Sequence, residues 1–365
     1  MLEPNSSLYS QKIRVVARLT MLWAFSESVI GGVLHAVGIP IKGMALAGLA
    51  VLFISMIGRF SDRRGDILQA TITVLLVKGL ISPHSPFAAY FSVFIQGCLG
   101  ELIFSAFGVH RFSTIVLGAI NVSFSSVQKI FMLTILFGIN FWEALNQGSA
   151  QLIRSFFGVE TEHFITGLMI LYVTIYFIAG IIAGWIAWKL PRLISDFSNS
   201  TEFRNFHSNI LSENLSSDSD WGVTKRKKPS FLRRYRFYVP LLIIISCLPI
   251  LLTGVIPPGD VLYILIRSFL ILGLWSIFFS KNLLRFTRKY LFKTKKSRYQ
   301  KQVDEIIQTF PKLNSIYGRI WKSTSDCSIL YRLRISLFYL LAVILFDVEN
   351  SENSEEIEKS TDGAT

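Results

Sequence analysis

The chain has 365 residues, of which 51% are hydrophobic and only 17% charged, and its mean hydropathy is +0.48. A chain this apolar belongs to the membrane class by composition and is not expected to be a soluble enzyme. Its formal net charge of +13 would suggest nucleic acid in a water-soluble protein. Here, however, the Lys and Arg lie in short segments between apolar runs and in two blocks, Lys225 to Arg236 and Lys281 to Lys301. Basic residues beside spans set orientation and touch anionic headgroups, so membrane lipids are expected partners and nucleic acid is not.

A hydrophobic stretch of about 20 residues crosses a bilayer as a helix, because its backbone must satisfy its own hydrogen bonds there. In chain order the sequence predicts about eight such stretches: Leu19 to Val37, Ile41 to Ile57, Ile67 to Ile81, Phe87 to Phe107, Ser113 to Ile139, Phe164 to Trp188, Tyr238 to Ile256 and Val261 to Phe279. The first carries Glu27 at its centre and lacks a small-x-small cleavage site followed by a soluble domain, so it reads as a retained span. Gly38 with Pro40, Ser61 to Asp66, Pro83 with Pro86, and Gly108 to Arg111 punctuate the runs. With the N-terminus inside, Lys12, Arg14, Arg18, Arg59, Arg63, Arg64, Arg111 and both basic blocks fall on the cytoplasmic side, against Lys42 and Arg154 outside. The positive-inside rule then predicts a multi-pass inner-membrane protein with both termini cytoplasmic.

The expected fold is all-α, a polytopic membrane helix bundle with six spans over residues 1–191 and a polar, then basic, cytoplasmic linker over 192–236. A two-span part follows over 237–280, then basic cytoplasmic or interfacial helices over 281–348 and an acidic disordered tail over 349–365. Within the cytoplasmic part, Gln302 to Lys322 has helical spacing, which Pro311 is expected to interrupt. Ile329 to Phe346, with Arg332 and Arg334 near its start, is expected either to lie in the interface as an amphipathic helix or to form a ninth span.

Ionisable and amide side chains inside apolar runs usually face a bundle interior and meet each other or a polar ligand. Glu27, His35, Lys78, Gln96, Glu101, Asn121, Gln128 and Lys129 are therefore the candidate binding residues for a small, water-soluble solute, the alternative being structural ion pairs and interhelical hydrogen bonds. Ala24, Ser28, Gly32 and Ala36 recur every four residues, a small-residue strip that suits either packing against a span of the same chain or docking of another subunit. The turn Gly58-Arg-Phe-Ser-Asp62-Arg63-Arg64-Gly65 matches a G-x-x-x-D-R-x-G pattern, read here as a charged cytoplasmic turn. No phosphate-binding GxxxxGK[ST] loop and no H-E-x-x-H is present, and the five histidines are dispersed. The three cysteines, Cys98, Cys247 and Cys327, offer neither a disulfide framework nor a CxxC site, so no catalytic residue, metal or cofactor is expected.

Glu27-Ser-Val-Ile-Gly-Gly-Val-Leu-His35, Pro40-Ile-Lys42-Gly43 and Gly97-Cys-Leu-Gly100-Glu101-Leu, set in a six-span plan, resemble the substrate-binding S component of energy-coupling factor vitamin transporters. The resemblance covers residues 1–191. It implies capture of a vitamin-like micronutrient from outside, with the Ala24, Ser28, Gly32, Ala36 strip docking on a transmembrane coupling subunit driven by separate ATPases. The C-terminal part looks like a reduced version of the coupling T component, although only Gly318-Arg319 echoes that component's Ala-Arg-Gly-type motif. Two further readings follow from the residues themselves. One is a membrane scaffold with structural buried charges and a lipid- or partner-binding basic region; the other is a carrier with a proton site at Glu27 or Glu101.

Overall fold

The computed structural model describes residues 4–31, 42–61, 63–82, 85–160, 163–201, 203, 266, 268–269, 298–325, 327–329 and 331–342, and every regular element among them is helical. Pro4 opens α1 (Pro4–Phe25), a position where its missing N–H has no intrahelical partner to lose. α1 carries Lys12, Arg14 and Arg18 before its buried end, Leu19 to Phe25. A π-helical turn, Ser26–Ile30, continues it. Next come α2 (Lys42–Phe60), α3 (Asp66–Ile81), α4 (Phe87–Phe107) and α5 (Arg111–Phe137). They are followed by α6 (Asn140–Phe157), α7 (Phe164–Ser198), α8 (Arg298–Ser323) and α9, helical over 331–342.

The helices meet at stripes of small residues. Residues 1–125, 176–216 and 281–365 form one compact unit, within which α4 packs against α2 and α3. A Cβ added at Gly97 would overlap the Thr71 side chain, and one at Gly100 would overlap Ile54. Close approach also governs α5 and α7, where a Cβ at Gly118 would run into the Gly180 carbonyl oxygen and one at Gly184 would lie 2.7 Å from the Ile115 Cα. In hydrocarbon, where burying apolar surface gains nothing, such close contact is what holds helices together. The second unit comprises 126–175 and 217–280, and in it the Trp142 indole donates to Thr134 Oγ1 at 2.8 Å.

Among the described residues, four helices, Lys42–Phe60, Ala88–Phe107, Arg111–Phe137 and Phe164–Ser198, are long and apolar enough to cross a membrane. On α7 the buried positions are Tyr176, Gly180, Gly184, Ala187, Leu190 and Ile194, one stripe at helical spacing. Its other faces expose large apolar side chains, Ile170 at 64% and Ile182 at 51% among them. An outward apolar surface of this kind suits lipid.

The expected first span is helical over its described residues, 19–31, and the expected third span, Ile67 to Ile81, is α3. α1 begins far earlier than Leu19, and α3 has 16 residues, about 24 Å at 1.5 Å per residue, against a hydrocarbon core of about 30 Å. α6 occupies what the sequence reading left as an outside connection. Two prolines fail to punctuate. α7 passes through Pro191 to Ser198, and α8 runs unbroken through Pro311, correcting the expected interruption. A proline inside a helix costs about 3 kcal/mol, and α8 offsets this by burying Val303, Ile306 and Ile320 along one face.

α9 packs Ile335 and Tyr339 on Ile320, with Phe197 and Phe203 joining the cluster, so the described part of the segment expected to be interfacial or a ninth span is a helix with one face on α8. The seventh and eighth expected spans lie almost wholly outside the described residues, as do the linker beyond Phe203, the basic block from Lys225 to Arg236, most of that from Lys281 to Lys301, and the acidic tail.

Candidate functional site

Glu27 and Lys78, far apart in sequence, meet in the first unit. α1 and α3 lie side by side, and Lys78 Nζ donates to Glu27 Oε2 at 2.7 Å with both side chains 4% exposed. Glu27 sits in the π-helical turn, a departure from α geometry that often marks a working position in a helix. The pair is framed by hydroxyls. Ser26 Oγ donates to the Trp23 carbonyl at 2.8 Å, Ser82 Oγ donates to the Ser28 carbonyl at 3.3 Å, and the Tyr90 hydroxyl donates to the Ser82 carbonyl at 2.7 Å. Lys78 Nζ also lies 5.9 Å from the Tyr90 ring centroid.

Two buried amides in the same unit are less well served. Asn121 is wholly buried, and neither atom of its amide makes a hydrogen bond among the described residues. Gln96 donates from Nε2 to Ser92 Oγ at 3.3 Å, but its carbonyl oxygen accepts nothing among the described residues. The helices that carry them touch at the Phe91 and Phe124 rings, 6.4 Å apart, one turn from Asn121. A buried polar group without a partner costs roughly 1–3 kcal/mol in proteins, and more where water is absent.

Glu101 has a different place. Its Oε1 accepts the Gly65 N–H at 2.6 Å and the Ser105 hydroxyl at 3.0 Å, so α4 ties down the turn that starts α3. Gly65 stands at φ 94, a conformation that favours glycine, which explains the last position of the G-x-x-x-D-R-x-G pattern. Ser61 Oγ, in the same turn, donates to Asp66 Oδ2 at 2.7 Å.

Gln128 and Lys129 belong to the second unit, where Lys129 is exposed with Nζ 5.6 Å from the Tyr172 ring centroid. His35, Gly32 and Ala36 lie outside the described residues. Ala24 and Ser28, the other members of the small-residue strip, are buried within the protein at 0% and 4% exposure, where α1 and the π-helical turn pack on α2 and α3.

The structure thus brings Glu27 to Lys78, holds Gln96 and Asn121 on the neighbouring α4 and α5, and sets Glu101 at the α2–α3 turn. It also contains a cavity that the sequence reading missed. A space of about 530 Å³ lies at the polar end of α1, with Lys12, Arg14, Arg18 and Arg63 in its wall. Those cations read as orientation signals in sequence; the missed signal was that α8, an amphipathic helix, needs a partner for its apolar face.

Comparison with protein families, curated proteins and solved structures finds no match to this chain. What the fold itself defines, among the described residues, is a helical protein with four helices long and apolar enough to span a membrane.

Proposed function

We propose that the chain is a membrane transport protein that binds a small, water-soluble, micronutrient-like solute inside its helix bundle for import energised by separate ATPase subunits. In this reading α1 with its π-helical turn, α2, α3, α4, α5 and α7 are six crossings, two more follow, and both termini are cytoplasmic. The observation that carries it is Asn121: a wholly buried amide with both atoms unpaired among the described residues, on a helix apolar enough to span, in a bundle that also holds the Gln96 carbonyl, likewise unpaired among them. Such groups are costly unless they serve a polar ligand. The resemblance of residues 1–191 to energy-coupling factor S components adds the class of solute and the ATPase partners.

A second reading, a membrane scaffold with structural charges, is favoured by one specific observation. Glu27 and Lys78 neutralise each other, and Glu101 is spent on the α2–α3 turn. The deciding experiment is mass spectrometry of the gently purified protein for a retained small molecule and for copurifying ATPases. A vitamin-like compound together with ATPases supports the importer; neither, with lipid tightly held, supports the scaffold.

A further inference from the structure

α6 (Asn140–Phe157) has two chemically distinct sides. Phe141, Leu145, Leu152 and Phe156 recur at i, i+4, i+11 and i+15, which at 3.6 residues per turn places them along one side of the helix. Asn140, Glu143, Gln147, Gln151 and Arg154, at i, i+3, i+7, i+11 and i+14, line the opposite side. A helix folded against its own protein buries its apolar side, yet none of the 18 residues of α6 is buried, and Leu152 and Phe156 are 58% and 79% exposed. Leaving such side chains in water forfeits the free energy of burying them, so this side calls for an apolar neighbour.

Contacts at two places fix where the helix sits. At its start the Trp142 indole donates to Thr134 Oγ1 at 2.8 Å, and the Phe141 ring stacks on Phe137 with centroids 4.8 Å apart, both on the last turn of α5. Further along, the Asn146 side chain accepts the Ile165 N–H at 2.9 Å and donates to Thr166 Oγ1 at 3.3 Å, in the first turn of α7. α6 therefore bridges the end of one helix long and apolar enough to cross a membrane and the beginning of another. Crossing helices end at the boundary between hydrocarbon and headgroups, which puts α6 at that boundary. The adjoining helix ends expose apolar side chains as well, Phe131 and Ile139 before α6 and Leu168 and Leu171 in α7, so the apolar side of α6 continues a surface of lipid-facing character. Charge is balanced: α6 carries one acid, Glu143, and one base, Arg154, and Arg154 pairs with Glu160 at 3.5 Å. Its fit to a bilayer is apolar and needs no anionic headgroup.

We propose that α6 is an interfacial helix, the side bearing Leu152 and Phe156 sunk about 5–10 Å into the acyl boundary of the leaflet and the side bearing Gln147 turned to headgroups and water. The occupant of the apolar side is zwitterionic phospholipid. The proposal rests on α5 and α7 being crossings and is independent of solute binding at Asn121.

The test uses the full chain in phosphatidylcholine nanodiscs, with the photo-crosslinker p-benzoylphenylalanine introduced in place of one residue at a time: Phe156, Leu152, Gln147, or Ile182 on an outward face of α7. All four side chains are exposed, so the replacements leave the packing intact. Mass spectrometry of the irradiated protein reads the phosphatidylcholine adduct. Adduct at Phe156, Leu152 and Ile182, and about tenfold less at Gln147, is the expected result. Adduct at Ile182 with none at Phe156 and Leu152 overturns the interfacial placement alone; no adduct at any of the three also overturns the crossing of α7. Equal adduct at Gln147 and Phe156 removes the sidedness and with it the proposal. A crosslink from Phe156 to a second copy of the chain, or to another segment of the same one, in place of lipid overturns it in favour of a protein occupant.

Discussion

Glu27 and Lys78 illustrate how much a single buried charge depends on its neighbour. Taking one partner away leaves the other unpaired at 4% exposure, so Lys78→Met should destabilise the protein by about 3 kcal/mol. Glu27→Leu with Lys78→Met removes both charges and should recover most of that loss, a double-mutant cycle read by thermal unfolding in detergent. Equal destabilisation by single and double variants would mean that the two charges are not coupled. Asn121 gives the opposite contrast. Asn121→Leu removes an unpaired amide from a wholly buried position, so it should raise the unfolding temperature while abolishing solute retention. Retention unchanged in that variant would remove Asn121 from the site. The sequence showed that Glu27, Lys78 and Asn121 sit in apolar runs, which marks them as inward-facing. It did not show that Glu27 meets Lys78, because the contact joins α1 to a helix that follows an intervening one. Nor did it show that Glu101 serves a turn, since the Gly65 N–H it accepts belongs to the backbone and leaves no mark on residue type.

At the scale of elements, the contact between α5 and α7 is the most demanding. Gly180 and Gly184 form a small-xxx-small pair within an apolar helix, and both approach the α5 backbone near Thr114 and Gly118. Gly184→Leu should separate the two helices and sharply lower the yield of folded protein, whereas Gly148→Ala, where a Cβ meets open space, should be neutral or slightly stabilising. Size-exclusion profiles in detergent compare them directly. The small-residue strip read from the sequence was Ala24, Ser28, Gly32 and Ala36, not Gly180-x-x-x-Gly184, and Gly118, a single glycine in an apolar run, has no period to mark it.

The α8–α9 junction carries a pH dependence. Burial pushes the Tyr317 hydroxyl up from the usual tyrosine value, and Arg332 pulls it back by less. Tyr317 stacks on Trp321 at 5.8 Å, and Arg332 lies over the Trp321 ring at 3.9 Å. A phenol whose folded pKa exceeds its unfolded one contributes stability that is complete below the unfolded value of 10.0 and is lost as pH rises through the folded one. Hydrogen exchange in α8 and α9 should therefore accelerate above about pH 10, and less so in Tyr317→Phe. Helix existence here followed from apolar spacing, but helix length did not. Pro191 and Pro311 are strong local signals for an ending, and only tertiary burial, invisible from a local window, overrides them.

For the whole molecule, composition alone placed the chain in the membrane class, and the four long apolar helices agree with it. The division into units was not legible, since residues 176–216 and 281–365 join the N-terminal helices across a long stretch of chain. Nor was the cavity, which needs α1, α3 and α8 to be adjacent before its cations share a wall.

One helix has mechanical meaning at this scale. With 35 residues, α7 is about 52 Å long, well beyond the roughly 30 Å of a hydrocarbon core. It is gripped twice. Gly180 and Gly184 are clamped to α5, and Phe197 is wedged among Ile320, Ile335 and Tyr339 on α8 and α9. A stiff rod held at two stations can transmit torque, so roll imposed at the glycine clamp is expected to reach the aromatic end, where α8 lines the cavity at the polar end of α1.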